Sequence, residues 1–230
     1  MKASTPSLIL FFVTSFLAII FKLLGFGTLL LFFKSIIIPS LFIYYLVSNN
    51  YKITFLKALI FLLFFARDVF NLLKISESAS GSFMCVLLVY VLLIYLAQKD
   101  FKQLKFSFGD SFSVAALILG IATICYSVLN LKLENLELNF SLYVVFGLIL
   151  SVLSIITILN YIKNSTYAFF SAMLMCISFI VSDIFFVLYK FYFYNYFLTL
   201  ISIITQFLSY FFMVRYFLEK DNVIEDLNHY

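Results

Sequence analysis

Apolar residues run along this chain in stretches of about 20, broken by short polar segments, with no sustained alternation of the kind a half-buried strand would show. A helix rises 1.5 Å per residue, so about 20 apolar residues cross the roughly 30 Å hydrocarbon layer of a bilayer. Eight segments meet that length, at about 6–24, 29–48, 54–73, 82–98, 111–130, 140–160, 167–188 and 193–217. Gly25-Phe26-Gly27, Ser48-Asn49-Asn50, Lys74 to Ser80, Gln98 to Asp110, Lys132 to Asn139, Tyr161 to Thr166 and Tyr189 to Tyr192 separate them. The pattern predicts an all-α fold, a polytopic membrane bundle of about eight transmembrane helices forming a single domain over 1–230.

Composition agrees: 65% of the 230 residues are apolar and 11% charged, against roughly 45–50% and about 25% in soluble domains. The segment after Lys2 is apolar like a signal peptide, but no small-x-small site follows it, so it reads as a retained first helix. A net charge of +4, spread through short loops, gives no patch for nucleic acid and leaves the bilayer as the expected partner. Without Trp, tyrosines have to serve as interfacial anchors, and Tyr44, Tyr45, Tyr189, Tyr192 and Tyr194 lie near predicted span ends.

Lysines and arginines set the expected orientation. On the side of the N-terminus stand nine, Lys2, Lys52, Lys57, Lys99, Lys102, Lys105, Lys163, Arg215 and Lys220. On the other side stand four, Lys22, Lys74, Lys132 and Lys190, beside Glu77, Glu134 and Glu137. Both termini are therefore expected in the cytoplasm, and the membrane is the inner one if the cell is bacterial.

Polar residues inside the spans carry the candidate chemistry. Cys85, Cys125 and Cys176 lie singly in apolar runs and read as small buried apolar residues, while the only histidine, His229, is penultimate in a polar tail. Neither suggests a metal site, and no cofactor is expected. Asp68 and Asp183 are different, because a carboxylate near the hydrocarbon core has to be neutral, paired or set against a polar cavity. With alternating span direction, Lys34, Arg67, Asp68 and Asp183 all fall at one depth, about five residues or roughly 8 Å from the end of the bundle away from the termini.

The strings Asp68-Val69-Phe70 and Asp183-Ile184-Phe185 lie 183 − 68 = 115 residues and four helices apart, a weak sign of a 4+4 parallel repeat. Several roles remain open for these groups. Lys34 and Arg67 can snorkel to the interface or pair with the aspartates, and Gln206 and Asn71 can act as interhelical hydrogen-bond glue. Alternatively the two carboxyls form an acid and base pair, since burial and mutual repulsion favour keeping one of them protonated.

Lys34-Ser35-Ile36-Ile37-Ile38-Pro39, Ala66-Arg67-Asp68, and Ser171-Ala172-Met173 through Ser182-Asp183 to Lys190-Phe191, with Gln206 in the last helix, resemble the YhhN family of eight-span membrane proteins. Characterised members of that family are lysoplasmalogenases. The resemblance implies hydrolysis of the vinyl ether bond of a lysophospholipid, with Asp183 and Asp68 as the catalytic carboxyls. It also implies that Lys34, Arg67, Ser182, Tyr90 and Gln206 meet the lipid, with Lys34 on the head-group phosphate and the tail among the helices. The chain departs from the family pattern in three places. Lys34-Ser35 stands for Lys-Pro, Arg67-Asp68 for Gly-Asp, and the His-x-x-Tyr of span four is reduced to Tyr90 or Tyr95. An arginine next to Asp68 favours an ionised carboxylate, which suits a base or an anion clamp better than an acid. Two other functions stay open: a non-catalytic lipid-binding or structural protein, and a small proton-coupled transporter.

Overall fold

A computed structural model describes residues 3–73, 78–101, 110–129, 140–192 and 195–228. The loop charges at 74, 77, 102, 105, 132, 134 and 137, as well as Tyr194 and His229, lie outside these described residues. Among the described residues the chain forms eight helices and no strand. They are α1 (Thr5–Leu23), α2 (Gly27–Ser48), α3 (Phe55–Leu73), α4 (Ser78–Phe101), α5 (Asp110–Leu129), α6 (Phe140–Lys163), α7 (Tyr167–Phe191) and α8 (Tyr196–Asn228). Six of them are long and apolar enough to cross a membrane. Of the other two, α3 carries Lys57, Arg67 and Asp68, and α5 contributes the apolar run Val114–Val128. The protein is a multi-pass membrane helix bundle.

Local chemistry sets several helix ends. After α1, Gly25 takes φ +76°, and Phe26 N–H reaches back to the Phe21 carbonyl at 3.0 Å. This left-handed glycine stop turns the chain straight into α2. The Thr166 side chain accepts from Phe169 N–H at 3.4 Å to start α7, and Asn195 Oδ1 accepts from Phe197 N–H at 2.9 Å to start α8.

Helices adjacent in sequence pack as antiparallel hairpins, α1 with α2, α3 with α4 and, most extensively, α7 with α8. Further contacts join α2 to α3, α4 to α6, α6 to α7, and α8 back to α1 and α2, while α5 packs chiefly on α6. Seven helices thus close into a ring, and α5 packs beside it against α6. Large apolar side chains such as Phe12, Phe16, Phe55 and Leu62 point outward, as lipid-facing positions do. Inside, hydroxyls that have no water satisfy themselves on the preceding helical turn. Thr14, Ser154, Thr157 and Thr205 donate to the carbonyls of Leu10, Leu150, Leu153 and Ile201 at 2.6–2.9 Å.

The main departure from the predicted spans is α8, which runs on to Asn228 instead of stopping near 217. Its polar extension is pinned by charge. Asp221 accepts from Lys57 Nζ at 2.5 Å, Tyr45 Oη at 2.7 Å and Asn49 Nδ2 at 3.0 Å. Lys220 donates to Asp100 at 2.6 Å, and Tyr216 donates to the same carboxylate at 3.0 Å. Within the extension, Arg215 and Glu219 form an i,i+4 pair at 2.7 Å. Lys57, expected at the end of span three on the side of the termini, is therefore only 4% exposed, with its ammonium over the rings of Tyr45 and Phe217. Tyr44 and Tyr45 are likewise buried in the bundle and do not act as interfacial anchors.

Removing one partner of a buried ion pair strands the other charge, at a cost of about 3–5 kcal/mol. Asp221 is partly exposed, so Asp221→Ala is expected near the bottom of that range. Thermal unfolding in detergent checks this: the single variant should melt several degrees lower, and Lys57→Met added to it should recover part of the loss. Equal melting of Asp221→Ala and the parent would show that the network contributes nothing.

Candidate functional site

At the end of the bundle away from the termini the helices diverge around a cavity of about 480 Å³, within the range of about 300–1,000 Å³ that holds small ligands. All eight helices contribute to its wall, which is largely aromatic and aliphatic, including Phe83, Phe146, Ile180 and Phe207. Into it project Lys34 from α2, Arg67 and Asn71 from α3, Tyr90 from α4, Ser182 and Asp183 from α7, and Gln206 from α8. Six of the seven residues singled out from sequence therefore meet in one place. The exception is Asp68.

Asp68 is 3% exposed and does not line the cavity, although Arg67 does. Successive residues on a helix point about 100° apart, so with Arg67 turned to the cavity Asp68 is turned toward α2, while Arg67 and Asn71, one turn apart, share the cavity face. Neither Asp68 oxygen has a hydrogen-bond partner among the described residues, and its nearest cation is the Lys34 ammonium, 4.0 Å from Oδ1. The expected pairing of Asp68 and Asp183 in one cavity is therefore absent. The two aspartates that the weak repeat aligns occupy different surroundings.

Asp183 accepts a hydrogen bond from Tyr90 Oη at 3.0 Å. Tyr90 is 1% exposed and its ring is fixed by Phe146 and Phe179, with centroids 5.3 and 5.0 Å away. Tyr95, the other tyrosine considered in span four, is 48% exposed and packs under Lys99, away from the site. Arg67, which also lines the cavity, does not snorkel. Its guanidinium donates to Tyr210 Oη at 2.5 Å. With the Gln206 amide turned so that its oxygen faces the guanidinium, Oε1 lies 2.6 Å from Arg67 Nη1, meets Nη2 as well, and accepts from Tyr210 at 3.2 Å. Packed rings run between Tyr90 and Tyr210: Phe179 stacks on Phe64, and Phe64 meets Tyr210 edge to face.

Ser182 lines the cavity, but its proton is committed. Its Oγ donates to the Ser202 carbonyl at 3.0 Å, and Ser202 Oγ donates to the Ser182 carbonyl at 3.0 Å. This reciprocal pair clamps α7 to α8 and fixes the turn from which Asp183 projects, a use of serine common between membrane helices. Asn71, expected as interhelical glue, is exposed and borders the cavity. Cys85 and Cys176 are buried as expected, and Cys125, half-buried, lies on the cavity wall.

Tyr210 is the site residue that sequence reasoning passed over. Its signal was present, because Thr199, Ser202, Gln206 and Tyr210 recur at spacings of three and four along α8 and so share one face. Lys22, expected near the end of span one, and Lys190, expected in the segment after span seven, also line the cavity.

No family model, curated protein or solved structure matches this chain. The resemblance to the YhhN family accordingly rests on the short motifs quoted above.

Tyr90→Phe removes the hydroxyl and keeps the ring, so the aromatic packing should survive. Loss of one hydrogen bond to a carboxyl predicts a destabilisation of about 1.5–3 kcal/mol at most. Thermal unfolding in detergent would measure it, and a loss as large as that of Tyr90→Ala would mean that the ring contributes nothing.

Proposed function

We propose that this chain is a membrane lipid hydrolase of lysoplasmalogenase type, cleaving the vinyl ether bond of a single-chain phospholipid. The observation that carries the reading is Asp183, a carboxyl held by Tyr90 at 3.0 Å on the wall of a hydrocarbon-lined cavity that also presents Lys34 and Arg67. A lysolipid offers the matching parts, an apolar tail, an acid-labile bond and an anionic phosphate. The resemblance to the YhhN family supports the same chemistry.

One carboxyl is sufficient for the reaction. Protonated Asp183 gives its proton to the β-carbon of the enol ether, leaving a carboxylate and an oxocarbenium ion. The carboxylate then takes a proton from water as the water oxygen bonds to the cationic carbon, which restores the acid. The resulting hemiacetal loses its glycerol oxygen as an alcohol, its own hydroxyl proton passing to that oxygen, and a fatty aldehyde remains. Tyr90 orients the carboxyl, and Arg67 and Lys34 are placed to hold the phosphate. In this scheme Asp68 positions Lys34 and touches no substrate.

A second reading, a lipid-binding protein without turnover, draws on the commitment of Arg67 to Tyr210 and Gln206 and of Lys34 to Asp68. Aldehyde release from a lysoplasmalogen by the purified protein separates the two. Loss of the proton donor in Asp183→Asn should slow release by about 100-fold or more, whereas Asp68→Asn should act mainly on KM. Unchanged release by Asp183→Asn would refute the catalytic assignment, and no release by the parent protein would favour the lipid-binding reading.

A further inference from the structure

Three consecutive helices each turn one row of side chains toward the same part of the cavity. On α4 the row runs from Ala79 to Tyr90 and on α6 from Tyr143 to Ser154, each about 16 Å of helix rise. On α5 it is Ile121, Ile124, Cys125 and Val128, the spacing of one helix face. Rings join α4 to α6 along this length: Tyr143 meets Phe83, Phe83 meets Phe146, and Phe146 meets Tyr90. Cys125 seats on Gly147, where a methyl would come within 3.2 Å of its Sγ, so α5 and α6 approach closely. The hydroxyls in the α6 row are turned onto their own helix, Ser151 to the Gly147 carbonyl at 2.7 Å and Ser154 to that of Leu150 at 2.6 Å. The surface they leave is mostly hydrocarbon.

Between Val114 and Val128 no α5 residue is buried, and among the described residues this helix packs chiefly on α6. α4 and α5 thus border the cavity without closing on each other. Ile124 shows the consequence, because it lines the cavity and is still 48% exposed. The run Val114–Val128 is apolar and belongs to a membrane bundle, so what lies beyond Ile124 is lipid. Resting on the reading of this cavity as a lysolipid site, we propose that the slot between α4 and α5 is the subsite for the lipid's single hydrocarbon chain. The chain enters sideways from the bilayer, lies on the α6 floor and continues into the membrane beside Ile124. Tyr90 ends the α4 row and holds Asp183 at 3.0 Å, so a chain that begins at the reacting bond begins at the inner end of the slot. A slot with one row of side chains on each helix suits one chain. Lipid is as apolar as the slot, so the chain gains little by leaving it; the slot sets where the chain lies, and the polar end of the ligand sets how tightly it is held.

Photocrosslinking in nanodiscs tests this without turnover. The probe is a saturated 1-O-alkyl lysophospholipid with a diazirine midway along its chain, bearing a phosphocholine head in one arm and a phosphoethanolamine head in the other. It is presented to the full chain, and the crosslinked residues are read by peptide mass spectrometry. In at least one arm, crosslinks are expected on the inward row of α5, at Ile121 and Cys125, and on α6 at Gly147, and an excess of the same lipid without the diazirine should remove them. Leu119 and Tyr126, each 68% exposed on the other side of α5, should show only labelling that does not respond to the competitor. Cys125→Trp fills the slot, and Ile124→Trp narrows its mouth from a half-exposed position; each should abolish the competed crosslinks, while Leu119→Trp leaves them in place. Crosslinks confined to the outward residues in both arms overturn the proposal. So do inward crosslinks that excess lipid does not reduce, or that persist in both slot variants. Vinyl ether lipids with the same heads then separate the slot from the hydrolase reading. Competed inward crosslinks without aldehyde release sink only the hydrolase, whereas aldehyde release with outward crosslinks alone sinks only the slot.

Discussion

Arg67 is the residue around which the site has to be organised. A guanidinium placed two-thirds of the way along a membrane helix must either reach the interface or be met by oxygen inside the bundle. Here it turns inward, to the Tyr210 hydroxyl and the Gln206 amide oxygen on α8. That choice fixes the rotation of α3, and the rotation decides the rest. With Arg67 facing the cavity, Asp68 faces away, toward α2, where Lys34 is the cation within reach. Asp183 is then left as the only carboxylate among the described residues that line the cavity. A glycine at 67 would place no such demand on α3.

The two ends of the bundle meet the shortage of water in opposite ways. On the side of the termini, Lys57, Asp221, Tyr45, Asn49, Lys220, Asp100 and Tyr216 form dense hydrogen-bonded networks, and the charges are spent on one another. At the other end Lys22, Lys34, Arg67 and Asp183 line a cavity. Buried ion pairs that are fully answered hold helices in register without demanding a ligand. Polar groups that converge on an apolar hollow are what a ligand site presents. This contrast argues that the first end is structural and the second is for binding.

Much of the fold was legible because its signal is strong and redundant. Runs of 20 apolar residues have one cheap structure in lipid, and alternating direction puts Lys34, Arg67 and Asp183 at one level without any knowledge of packing. What was not legible depends on helix rotation and tertiary contact. The end of α8 read as a polar tail, since nothing local shows that Asp221 reaches Lys57, 164 residues away. Lys57 and Tyr45 read as interfacial residues for the same reason, each being defined by a partner on another helix. Tyr210 was hidden among the aromatic residues of a chain with 32 Phe and 16 Tyr, where a hydroxyl that matters looks like any other ring.

The exclusion of Asp68 belongs to a third category, since it follows from the rotation of α3 that Arg67 sets. Adjacent positions on a helix diverge by about 100°, so with Arg67 turned to the cavity Asp68 lies toward Lys34, whereas the rotation of α7 brings both Ser182 and Asp183 to the cavity wall. Asp183 has no such rival, because its neighbour Ser182 is tied to Ser202 by the reciprocal pair that clamps α7 to α8. The aromatic series from Tyr90 through Phe179 and Phe64 to Tyr210 then links the side chain that holds Asp183 to the one that holds Arg67. Close-packed rings yield little to local strain, so the separation of Asp183 and Arg67 is set by the core and not by whatever enters between them. Whatever enters the cavity must therefore fit that spacing, between a carboxyl held by Tyr90 and a guanidinium held by Tyr210.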